Sequence, residues 1–129
     1  MKKTIKFFTA ILIVFFVLSC SSDDDNNSQS LSVEIVGNWS GTFSGEDTGT
    51  WNINVSESGE VTGTGFSTTF QENYIFEGSV NLDGQLNATV GTSSTGATFV
   101  GVLNTNGTGS GTWNNSDADL SGNWEGNKD

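Results

Sequence analysis

The sequence predicts an all-β fold after residue 31: about eight antiparallel strands in an up-and-down meander, curled into a small closed or nearly closed barrel. Three observations carry this. Apolar and polar residues alternate with period two, and no stretch after residue 31 keeps the i, i+3, i+4, i+7 spacing of an amphipathic helix. Turn signals interrupt the alternation at short intervals. A Gly-x-Trp motif recurs along the chain in mirrored order.

The strands follow in order. Gly37, Trp39, Gly41, Phe43 and Gly45 share one parity and predict a first strand over 36–44. Gly45-Glu46-Asp47 then turns the chain. Trp51, Ile53 and Val55 alternate with Thr50, Asn52 and Asn54, which predicts a second strand over 48–56. Ser58-Gly59 separates it from a third over 60–69. The fourth, over 72–82, sets Tyr74, Phe76, Gly78, Val80 and Leu82 on one face. Beyond Asp83-Gly84, Leu86, Ala88 and Val90 mark a fifth over 85–92. Ser93-Ser94-Thr95-Gly96 leads to a sixth over 97–104, with Phe99 and Leu103 about Gly101. Asn106-Gly107 opens a seventh over 107–114, in which Trp113 follows Gly107, Gly109 and Gly111. Asn115 to Asp117 turn into an eighth over 119–126, where Leu120 and Trp124 bracket Gly122. Asp83-Gly84 and Asn106-Gly107 are the pairs expected at positive φ in two-residue type I′ hairpins.

Short links make consecutive strands neighbours, so the remaining question is the two edges. No Pro and no Lys within the strand region protects them, whereas closure would abolish them. The mirrored motif points the same way. Gly37-Asn38-Trp39-Ser40-Gly41 matches Gly122-Asn123-Trp124-Glu125-Gly126, and Gly49-Thr50-Trp51-Asn52 matches Gly111-Thr112-Trp113-Asn114. Pairing the eighth strand with the first would put all four Trp on adjacent strands. An eight-strand barrel encloses about one layer of side chains or one small ligand. Trp39, Trp51, Trp113 and Trp124 are therefore either core or the aromatic lining of a ligand site.

A meander opening on Gly37-Asn38-Trp39 is similar to the lipocalin and avidin-like barrels. That resemblance implies that Trp39 closes one end of the barrel. The domain is shorter than those families, and it lacks the helix and the basic residue that lipocalins usually pack on that Trp.

The first residues speak to location. Lys2, Lys3 and Lys6 precede the apolar run Phe7 to Leu18, whose 12 residues would span about 18 Å as a helix, too short for a ~30 Å bilayer core. This predicts a signal peptide over 1–19. Val17-Leu18-Ser19-Cys20 resembles a bacterial lipobox, which implies cleavage before Cys20 and its acylation with diacylglycerol. Residues 20–35 are then the acylated Cys and a disordered acidic tether, leaving 36–129 as the barrel. Asp23-Asp24-Asp25 resembles the acidic signals that export lipoproteins to the outer face of some outer membranes; a merely soluble tether is the other reading.

Composition removes whole classes of function. The chain has 4 Lys, no Arg, no His and 15 acidic residues, for a net charge of −11. Nucleic-acid binding needs clustered cations, and these are absent. One Cys permits neither an internal disulfide nor a Cys-based zinc site. Carboxylates are the only acid–base groups. Glu46/Asp47, Glu57/Glu60 and Asp117/Asp119 fall in turns and read as solvated charges, and Glu77 faces outward by parity. Asn114 to Asp119 resembles an Asp-x-Asp loop but lacks the Gly and terminal Glu of a hand-type calcium site. The expectation is no enzyme, no metal and no cofactor. It is a lipoprotein held at the outer membrane through Cys20, at the cell surface or on the periplasmic face. Its barrel would bind a glycan, a small molecule or a protein, or would be filled and purely structural.

Overall fold

A computed structural model of the chain describes residues 29–91 and 96–129. It contains eight strands: β1 (Gly37–Gly45), β2 (Gly49–Val55), β3 (Glu60–Ser67), β4 (Glu72–Val80), β5 (Gln85–Val90), β6 (Ala97–Leu103), β7 (Thr108–Asn115) and β8 (Leu120–Lys128). Each pairs antiparallel with the next, and β8 returns to β1, closing the barrel. The closing register runs from Trp39↔Lys128 to Gly45↔Gly122. Strands β7, β8, β1 and β2 are consecutive around the wall, so the four Trp stand on neighbouring strands. The signal peptide read over 1–19, Cys20, Asp23-Asp24-Asp25 and the turn at Ser93-Ser94-Thr95 lie outside the described residues.

Alternation sorts the wall as expected. In β2, Trp51, Ile53 and Val55 point inward while Thr50, Asn52 and Asn54 face solvent. Glu77 is exposed. Leu82, expected inward by parity, is half exposed, because β4 ends at Val80 and Leu82 belongs to the following turn.

Large rings fit this narrow interior because glycines lie beneath them. Trp51 and Trp124 meet edge to face, with ring centroids 5.6 Å apart. A Cβ on Gly126 would stand 2.4 Å from Cζ2 of Trp51, and one on Gly101 equally close to Cζ2 of Trp124. Gly111 faces Gly101 across the β6/β7 ladder and Trp124 across the β7/β8 ladder. The indole of Trp124 therefore lies on bare backbone, and its Nε1 donates to the carbonyl of Val100 at 3.1 Å.

One end of the barrel is shut. Three hairpins turn there with one geometry. The N–H groups of Gly59, Gly84 and Gly107 donate to the carbonyls of Ser56, Asn81 and Asn104 at 2.9, 2.9 and 3.0 Å. Their φ angles are +82°, +81° and +85°. Asp83 and Asn106 are not left-handed, so these are type I turns followed by a left-handed Gly, not the type I′ turns expected. The reason lies in the residues before the glycines. Asn81 Oδ1 accepts from the N–H groups of Asp83 and Gln85, both at 3.0 Å, which fixes the longer loop. Each glycine carbonyl then accepts from the next hairpin: Val80 N–H to Gly59, Leu103 N–H to Gly84, and Lys128 N–H to Gly107.

Residues before β1 complete this end. Leu31 and Ile35 are buried in the core, so the packed unit reaches back to Leu31, inside the segment read as tether. Trp39 is fully buried and donates from Nε1 to the Ile35 carbonyl at 2.8 Å. A basic residue does stand here: Lys128 is the register partner of Trp39, and its Nζ donates to the Val33 carbonyl at 2.8 Å. The sequence hides this pairing because it joins the two extremes of the barrel.

Gly111→Ala tests the ring-on-backbone packing. Its Cβ would lie 2.0 Å from the Val100 carbonyl oxygen and 2.7 Å from Cε2 of Trp124. Urea denaturation should show a loss of about 1–3 kcal/mol or more, the range for overpacking. Thr112→Ala, on the outward neighbour, should stay within about 0.5 kcal/mol of wild type. Equal losses in the two variants would refute the packing argument.

Candidate functional site

Among the described residues, the opposite end of the barrel is open and holds a cavity of about 180 Å³. Its floor is built by inward-facing rings of strands that meet only through closure. Phe99 on β6 stacks on Trp113 of β7 at 6.1 Å and meets Phe76 of β4 edge to face at 4.9 Å. Phe43 on β1 meets both Phe99 and Trp113 edge to face at 6.0 Å. Phe70 and Tyr74 raise the wall on the β3–β4 side, while Val90, Ala97 and Leu120 complete the apolar surface. Trp113 is held by its Nε1, which donates to the Ser44 carbonyl at 3.0 Å.

One charged side chain lines this space. Asp47, in the turn between β1 and β2, is only 7% exposed. Its Oδ1 accepts from the Thr48 N–H at 2.7 Å and from Ser67 Oγ at 2.6 Å. Ser67, the last residue of β3, is fully buried and also accepts from the Phe70 N–H at 3.0 Å. One hydroxyl thus fixes the carboxylate and the turn that carries Phe70. The sequence predicts a solvated Asp47 carboxylate in a turn, whereas the structure buries it. Its burial follows from Ser67, whose hydroxyl replaces water as donor.

Tyr74 stands beside this group. Burial comes first among the effects holding its phenol above the ordinary value, followed by the charge of Glu72, the hydrogen bond to Glu72 and the charge of Asp47. Tyr74 is therefore protonated at neutral pH and donates to Glu72 Oε2 at 3.3 Å.

The four Trp occupy different places. Trp113 lines the cavity. Trp51 and Trp124 lie deeper, around an apolar void of about 10 Å³ that they share with Phe76 and Phe99. That is no more than about one water needs. Trp39 closes the far end. Phe70, Tyr74, Phe76, Phe99 and Asp47 join the site without a local sequence signal that marks them as site residues. Parity marks Phe76 and Phe99 as inward, but it says nothing of depth along the barrel axis.

Among the described residues, Asp47 is the only carboxylate that lines the cavity; Glu72 reaches it only through Tyr74. Glu46, Glu57, Glu60, Asp117 and Asp119 are exposed. Glu46 Oε2 accepts from the Ser121 N–H at 2.8 Å, tying two loops of the open end together. In the Asp-x-Asp-like loop, Asn115 Oδ1 accepts from the N–H groups of Asp117 and Ala118, both at 3.2 Å, so this oxygen serves the turn. No group of three or more His, Cys, Asp or Glu converges among the described residues.

Ser67→Ala should cost about 1–3 kcal/mol by chemical denaturation, because it strips a donor from a buried carboxylate. A loss below about 0.5 kcal/mol would show that water reaches Asp47 in its place.

Comparison with family models and with curated protein sequences finds no match for this chain.

Proposed function

We propose that the protein is a lipid-anchored lipoprotein of the outer membrane, displayed at the cell surface, whose barrel binds a small ligand in the open-end cavity. The observation that carries this reading is the polarity of the barrel. The chain enters at the shut end, beneath Leu31 and Ile35, and the cavity lies at the other end. An anchor at Cys20 would attach below the shut end and leave the cavity facing away from the membrane. Two or more acyl chains on Cys20 would hold the domain firmly, since each buried CH2 adds about 0.8 kcal/mol.

The cavity suits a small molecule better than a glycan or a protein. It is concave and apolar, with a single buried charge, which is the usual makeup of small-ligand sites. A second reading, a purely structural envelope lipoprotein, draws support from the ring-filled middle of the barrel, where only about 10 Å³ is empty. The two readings differ only at the open end.

Tryptophan fluorescence separates them, because Trp113 alone among the four Trp lines the cavity. With the protein in zwitterionic lipid nanodiscs, a ligand from a panel of small metabolites should shift the emission, and Trp113→Phe should abolish the shift. No response across the panel would favour the structural reading. The anchor has its own test: Cys20→Ala should move the protein from the membrane fraction to the soluble fraction. Protease added to intact cells should remove the domain; full protection would assign it to the periplasmic face.

A further inference from the structure

We infer that the open-end cavity selects a small organic cation, an ammonium group carried on an apolar body about the size of one aromatic ring. This rests on reading the cavity as a ligand site.

Size comes first. An apolar cavity of about 150 Å³ holds a benzene molecule, and this one measures about 180 Å³. One ring with a short substituent fills it.

Charge decides what the substituent is. Asp47 is more than nine-tenths buried and lines the cavity. Carboxylates at such depth are normally paired with a cation. Between residues 29 and 129 the only cationic side chain is Lys128, which donates to Val33 at the shut end. The domain supplies Asp47 with hydrogen bonds but with no counter-charge.

A neutral ligand entering the cavity would bring this carboxylate no counter-charge. An anion would be repelled. An ammonium group would make a charge-assisted hydrogen bond to it. The two donors already on Oδ1 orient the carboxylate and leave it acceptor capacity for a third. The aromatic walls act in the same direction, since Phe99, Trp113, Phe70 and Tyr74 present π systems whose faces attract cations. The excess of acidic residues over the whole domain raises the local concentration of cations at its surface.

Calorimetric titration of the protein in zwitterionic nanodiscs, against empty nanodiscs, with 2-phenylethylamine and 2-phenylethanol tests this directly. The two probes match in size and differ in charge. The amine should bind at least tenfold tighter at pH 7, and Asp47→Asn should bring the two affinities within about threefold of each other. Equal affinities in the wild type would overturn cation selection and leave the ligand cavity standing. Binding of neither probe at millimolar concentration would overturn both. If Asp47→Asn does not fold, the amine-to-alcohol ratio of the wild-type protein decides alone.

Discussion

The structure depends on one steric constraint: indole and phenyl rings lie directly on the backbone of the strands opposite them. An eight-stranded barrel has room for about one layer of side chains. Trp51, Trp124, Trp113, Phe43 and Phe76 all point into that layer. They fit because the wall beneath each ring carries hydrogen in place of Cβ: Gly126 under Trp51, Gly111 under Trp124, Gly122 under Trp113, Gly49 under Phe43 and Gly65 under Phe76. These strand glycines are therefore as much a part of the core as the rings they carry. Each ring needs its partner on another strand, so the motif Gly-x-Trp has to recur on strands that become neighbours.

Barrel closure follows from the same pairing. Trp51 on β2 rests on Gly126 of β8, and these strands are separated by β1. The contact can form only if β1 and β8 are joined. Core packing and closure are then a single event, which explains why the chain has no protection for free edges. The ladder hydrogen bonds of β1 with β8 hold the seam, and the rings behind it hold the register.

Much of this was legible in the sequence, and the exceptions share a cause. Strand bounds fall within two residues of expectation, because period-two alternation and turn residues are local signals. The joining of first and eighth strands was legible because the edges carry no protection and because Gly37 to Gly41 echoes Gly122 to Gly126. What escaped depends on contacts between distant positions. Asp47 is buried by a hydroxyl 20 residues away. Lys128 meets Trp39 across the closing seam. Turn type at Asp83-Gly84 is set by a side-chain bond from Asn81, which dipeptide preferences do not include. Among the four candidate Trp, depth along the axis separates Trp113 from the rest, and parity carries no information on depth.

The two ends of the barrel divide the work of the few polar groups available. At the shut end, three left-handed glycines pass hydrogen bonds from hairpin to hairpin, and the only cation of the domain caps the Val33 carbonyl. These bonds all serve closure. At the open end the reverse holds: a carboxylate is drawn inward by Ser67 and Thr48 and left facing an aromatic space. Burial of an ionised group opposes folding unless its surroundings compensate it. Two neutral donors compensate Asp47 in part. Asn at this position would accept the same two hydrogen bonds without a buried charge, but would bring two N–H donors to an apolar wall. Among the described residues, Asp47 is the one buried charged side chain, and the domain leaves its charge without a counter-ion.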